Sequence, residues 1–158
     1  MADSSVWIDV GNGEFLPAVF ALGVEWLAPD LLLYELRTTP SRADLLARGV
    51  SSTELSGAQV GRLLATARGR PRLSHVDIAA ALVALDEAAI LLTGDAALRA
   101  LAEEWGLEVH GTLWLLDRLV EFELVPKLEA ATALERICAA GGRLPADEVA
   151  SRLARWRR

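Results

Sequence analysis

Ala89-Ile-Leu-Leu-Thr93, followed at once by Gly94-Asp95 and then by Ala96–Trp105, runs from an apolar strand-like segment through a turn into a segment of helical period. Asp95 stands at the joint. Outward from it the same unit recurs. Val24–Ala28, Val50–Leu55 and Leu107-Glu-Val109 also read as strands, and helical segments separate them. Phe15, Leu16, Val19, Phe20 and Leu22 repeat at helical spacing. Ser56-Gly-Ala-Gln59 and Ser74-His-Val-Asp77 each place a serine cap three residues ahead of a side chain able to reach back to it. Gly106 follows Trp105 where a helix is expected to stop, and Gly11-Asn12-Gly13 reads as another stop and turn. Alternation of this kind predicts an α/β fold, a parallel sheet covered by helices. After about Val125 it ends. Two helices are expected there, roughly Lys127–Ala140 and Ala146–Trp156, separated by Gly141-Gly142 and Pro145. The expected organisation is therefore an α/β domain over residues 1–125 and a C-terminal helical extension over 126–158.

Of the 158 residues 53% are apolar and 24% charged, a balance that excludes intrinsic disorder and provides a core without staples. Cys138 is the one cysteine and there are two histidines, so neither a disulfide framework nor a thiolate zinc cluster is available, and a metal would have to be held by oxygen. No apolar stretch approaches the roughly 20 residues that span a bilayer. Met1-Ala2-Asp3 does not open a secretory signal, so a cytoplasmic protein without membrane contact is expected. Sixteen basic residues, fifteen of them arginine, against 22 acidic ones give a net charge of −6. That argues against generic long-range capture of nucleic acid but leaves room for a local basic track.

In an open parallel sheet the carboxyl ends of the strands converge on one crevice. Four acids occupy such positions: Asp3 before the first helix, Glu35 in the first turns of the helix after Val24–Ala28, Asp77 in the helix capped by Ser74, and Asp95. Each has an ordinary structural reading, since Asp3, Asp77 and Asp95 are all placed to cap helices and Glu35 reads equally as a solvated helix residue. Gathered at one rim, though, four carboxylates repel one another unless a cation neutralises them. Hard oxygen donors suit Mg²⁺ or Mn²⁺, and an ion so held keeps open positions for phosphate oxygens. Phosphodiester hydrolysis is the matching chemistry.

The motifs Asp3-Ser-Ser-Val-Trp-Ile-Asp9, Pro29-Asp-Leu-Leu-Leu-Tyr-Glu35, Leu73-Ser-His-Val-Asp77 and Leu91-Leu-Thr-Gly-Asp95 resemble, in order and spacing, those of PIN-domain proteins, among them the VapC-type toxins of toxin–antitoxin systems. The resemblance covers about residues 1–125. It implies a three-layer α/β/α domain around a central parallel sheet, a Mg²⁺ or Mn²⁺ site, and endonucleolytic cleavage of single-stranded RNA. Asp3, Glu35, Asp77 and Asp95 would be the metal-binding and catalytic acids. Ser5 matches the hydroxyl residue that orients the first acid or a water on the ion, and Thr93 the polar residue before the last acid. Asp9 is expected to lie outside the ligand set. A small antitoxin partner and a homodimer are further expectations of the resemblance. Only Met1 and Ala2 precede Asp3, so the first strand is expected to be very short, and Ala96-Ala97-Leu98 lacks the further acid many relatives carry after Asp95.

Other signals bear on the choice. A receiver-type phosphoacceptor would want a lysine near the end of the sheet, whereas Lys127 lies beyond it, and no P-loop occurs. Arg68, Arg70 and Arg72, just ahead of Ser74, read either as a solvated turn or as a grip on RNA phosphates. Trp7, Trp26, Trp105 and Trp114 read as core. Trp156, among Arg152, Arg155, Arg157 and Arg158, is the tryptophan left open as a base-stacking platform, and those arginines read as an exposed helix end or as a phosphate contact. His75 and His110 lack a paired nucleophile and read as surface or capping residues. The rival to an enzyme is a non-catalytic module of the same fold whose acidic crevice binds a basic partner.

Overall fold

The computed structural model describes residues 1–37 and 39–157. In chain order its elements are α1 (Ser4–Asn12), α2 (Leu16–Phe20), β1 (Leu27–Pro29), α3 (Asp30–Glu35), α4 (Arg42–Ala47), β2 (Ser51–Thr53) and α5 (Gly57–Arg68). There follow α6 (His75–Asp86), β3 (Leu91–Leu92), α7 (Ala96–Glu104), β4 (Val109–His110), α8 (Thr112–Glu121), α9 (Lys127–Ala139) and α10 (Ala146–Trp156). The alternation and the parallel pairing of an α/β fold are present.

The strands are shorter than expected and, among the described residues, do not join into one sheet. β1 pairs with β2 and β3 with β4, each in parallel. The first strand is reduced to a single parallel bridge, Ala2 to Leu92, because helix α1 begins at Ser4. A strand of that length leaves the two pairs as separate ladders. Trp26, just ahead of β1, and Leu92 of β3 line a cavity of about 350 Å³ together with Met1, Val24 and Ile90.

Local signals place the helices. Ser56 and Ser74 close the capping boxes with Gln59 and Asp77, and Ser41 does the same with Asp44 ahead of α4. Gly106 takes φ +72° after α7, a conformation that disfavours any residue with a Cβ. Helix α6 is buried on every side from Ile78 to Ala84, which is why its sequence shows no polar face. It packs against α3, α5, α7, β1 and β3 and forms the centre of the core.

Trp7, fully buried on α1, meets Trp26 at 5.2 Å between ring centroids and Phe20 at 6.1 Å. This aromatic cluster fixes α1 against α2 and the segment leading into β1. Helices α9 and α10 pack on each other, and α9 also packs on α1 and α8, burying Ala130, Leu134 and Ile137. Trp156 is buried, so it is a core residue and not the base-stacking platform left open by the sequence. The arginines around it are engaged by carboxylates: Arg152 and Arg155 by Asp117, Arg152 also by Glu148, and Arg157 by Glu135. Arg158 lies outside the described residues. Among the described residues no helix is long and apolar enough to cross a membrane.

Candidate active site

The start of α1 lies against the end of β3, and the side chains at this joint form one hydrogen-bonded set. Asp3 is the N-cap of α1. Its Oδ1 accepts from the Val6 amide at 2.9 Å and from the Ser5 hydroxyl at 2.7 Å, and its Oδ2 accepts from the Thr93 hydroxyl. The Thr93 oxygen in turn accepts from the Asp95 amide at 2.9 Å, and the Gly94 amide donates to Ser5 Oγ at 3.3 Å. Ser4 donates to Glu35 Oε2 at 2.8 Å and so brings the end of α3 to the same helix terminus. Asp3, Ser5, Glu35, Thr93 and Asp95 are thus linked through α1 and the β3–α7 joint. Glu35 is the last residue of α3, where the sequence suggested its first turns.

Asp77 joins this set through its charge and, among the described residues, through no hydrogen bond. Its Oδ2 accepts from the Ser74 amide and hydroxyl, each at 2.8 Å. The structural readings of the acids are realised in three cases, since Asp3, Asp77 and Asp95 all cap helices, Asp95 by accepting from the Leu98 amide at 2.8 Å. Each of Glu35, Asp77 and Asp95 keeps a second carboxylate oxygen without a protein hydrogen bond among the described residues.

Asp3 is the electrostatic centre. It is 3% exposed, and no ion pair among the described residues involves it. Burial raises its pKa above the ordinary carboxylate value; its hydrogen bonds oppose that rise and the charge of Asp77 adds to it. A buried carboxylate with three donors and no countercharge fits a cation placed beside it, and the all-oxygen donor set selects a hard one. Among the described residues no three or more His, Cys, Asp or Glu side chains stand in metal-holding geometry. Magnesium commonly takes one or two carboxylates and completes its shell with water.

Asp9, nearly two turns further along α1, is also buried and accepts from the Thr112 hydroxyl at 2.6 Å, tying α1 to α8. Burial raises its pKa, and the charge of Asp3 contributes in the same direction. A carboxyl whose pKa is raised on folding favours the folded state at low pH, and that contribution is lost as pH rises from the ordinary carboxylate range through the raised value. Asp9→Asn keeps an acceptor for Thr112 and removes the titration. Its stability relative to wild type, read from urea midpoints at pH 4 and pH 8, should increase with pH, and a constant difference would refute this account.

The arginines ahead of Ser74 divide. Arg70 is paired with Glu104, whereas Arg68 and Arg72 are exposed and, among the described residues, without an ion-pair partner. His110 bonds Glu108 and its imidazole lies flat on the Trp114 ring. Two features escaped the sequence reading. Ser4, which holds Glu35, has no marker beyond its place beside Asp3. Arg143 is marked by the glycine pair before it and Pro145 after it. With Ser5, Asn12, Asp95 and Gly142 it lines a cavity of about 320 Å³ beside the acidic rim.

A family model described as a PIN domain matches residues 1–158. No curated protein and no solved structure matches the chain.

Proposed function

We propose a function from one premise, that this chain belongs to the PIN-domain family, whose members are generally nucleases and typically use divalent metals. It is a Mg²⁺- or Mn²⁺-dependent endoribonuclease that hydrolyses single-stranded RNA. The observation that supports this best is Asp3, a buried carboxylate set among donors and, among the described residues, without a basic partner, at a rim shared with Asp95 and Glu35. Asp3, Asp77 and Asp95 would supply the carboxylates, one or two of them on the ion and the rest through its waters. When bound, the ion polarises the phosphodiester and stabilises the leaving oxygen. Glu35, steadied by Ser4 and with one oxygen unengaged, places the attacking water and accepts its proton. Ser5 and Thr93 keep the Asp3 carboxylate in a single orientation. Action as a toxin restrained by a small antitoxin rests on the resemblance to VapC-type proteins alone.

The rival, a non-catalytic module binding a basic partner, draws support from the same caps, because Asp3, Asp77 and Asp95 all have structural work at helix starts. Thermal melting separates the two. An ion present at about a hundred times its Kd raises the melting temperature by roughly 5–10 °C. The rise should appear with Mn²⁺ in wild type and vanish in Asp3→Asn. No rise, or an equal rise in both proteins, would remove the metal site.

A further inference from the structure

A groove of about 590 Å³ runs from Thr93-Gly94, at the acidic rim, to the start of α10, and its lining is basic and aromatic although the chain as a whole carries −6. Two cations in it have no carboxylate partner among the described residues. Arg99 spends its guanidinium on the main-chain oxygens of Thr93 at 3.2 Å and Val109 at 3.3 Å, so its charge stays un-neutralised while it braces the end of β3. Arg143 is exposed and makes no hydrogen bond or ion pair among the described residues. Arg152, deeper in the groove, is by contrast matched by Asp117 and Glu148.

Arg143 is held in place by its backbone. Gly141 takes φ +90°, and the Gly142 amide bonds the Ile137 carbonyl at 2.9 Å. A Cβ on Gly142 would stand 2.5 Å from Ile137 Cγ2 and 2.9 Å from its carbonyl oxygen, so the loop closes tightly on α9. The next residue therefore projects from a fixed point. Arg143 lines this groove and also the cavity that contains Ser5 and Asp95. The aromatic component is His110, stacked on Trp114 with ring centroids 4.2 Å apart and planes 4° from parallel, its side chain still 27% exposed.

We propose that this groove is the subsite for the nucleotide adjoining the cleaved bond, with Arg143 gripping its phosphate and the outer face of His110 stacking its base. The assignment rests on the nuclease reading for what happens at the acids, but the binding it describes is independent of cleavage. A guanidinium with idle donors beside a carboxylate rim suits a phosphate brought to those acids, and a flat ring pair suits a base that is not already stacked in a duplex. Single-stranded RNA offers both at one nucleotide spacing.

The test uses fluorescein-labelled hexauridylate in EDTA, where binding is measured without turnover, and the same probe in Mg²⁺ for cleavage. Arg143→Gln should weaken binding about tenfold and reduce the log–log salt slope by about 0.7, the value of one single-strand phosphate contact. His110→Ala should weaken binding by a similar factor with the slope unchanged, and its penalty should vanish on an abasic ribose-phosphate probe of equal length, which a merely structural role would not produce. Wild-type affinity and slope in Arg143→Gln, or an undiminished His110→Ala penalty on the abasic probe, overturns the subsite. If wild type cleaves RNA while Arg143→Gln binds and cleaves like it, the subsite falls and the nuclease reading stands. If wild type binds through Arg143 but never cleaves, the subsite stands and the nuclease reading falls. Absence of any binding by wild type overturns the subsite outright.

Discussion

Replacing Asp95 with asparagine should cost at least about a hundredfold in the rate of Mg²⁺-dependent RNA cleavage, the effect of removing one charged group from an ion-holding set worth several kcal/mol. The fold should not suffer. Asparagine caps helices as well as aspartate does, and its amide oxygen can accept from the Leu98 amide as Asp95 Oδ1 does at 2.8 Å. In chelator the variant should melt at or above the wild-type temperature, because one negative charge has left the neighbourhood of Asp3. Alanine would confuse the result, since it removes the cap together with the charge. Rates measured on a single-stranded oligoribonucleotide, with melting curves in EDTA, check both halves. Wild-type cleavage by Asp95→Asn would take Asp95 out of the site.

The largest effect on stability is expected at Trp7. Truncation of a fully buried tryptophan to alanine costs about 3–5 kcal/mol, and here it would also dissolve the contacts with Phe20 and Trp26. For a chain of this length that is a fall on the order of 10 °C in melting temperature. Trp7→Phe should lose far less. It keeps a ring in the cluster and removes Nε1, a buried donor without a hydrogen-bond partner among the described residues. Because Trp7 lies one turn after Asp3, Trp7→Ala should also lower the Mn²⁺ response of the protein that remains folded. A melting temperature within 2–3 °C of wild type would show that the cluster is not the anchor of α1.

The sequence was most readable where the controlling interaction is local. Ser56 with Gln59, Ser74 with Asp77, Gly106 after α7 and the Gly-Gly break before α10 each act within a few residues, and each stands where the spacing placed it. Strand lengths were less readable, since pairing is decided by partners far along the chain. Ala89 and Ile90 read as strand, yet β3 keeps only Leu91–Leu92 in pairing with β4. Ion pairing was hidden for the same reason. Nothing near Arg70 or Arg155 in the sequence announces Glu104 or Asp117. At the site, the strand-end positions of Asp3 and Asp95 suggested their meeting and the family resemblance added Thr93, but the hydroxyl of Ser4 reaching Glu35 and an Arg143 guanidinium unpaired among the described residues depend on how helices sit in space.

The packing of α9 on α1 has a consequence for synthesis. The face of the first helix that α9 covers must wait until more than about a hundred further residues have been added, roughly ten seconds at ordinary elongation rates. Trp7 can find Phe20 of α2 early, but the seams of α1 with α8 and α9 close only once those helices have been made. The residues of the acidic joint, Asp3 to Asp95, are all made before the loop bearing Arg143, so the proposed subsite is the last part of the pocket to be supplied.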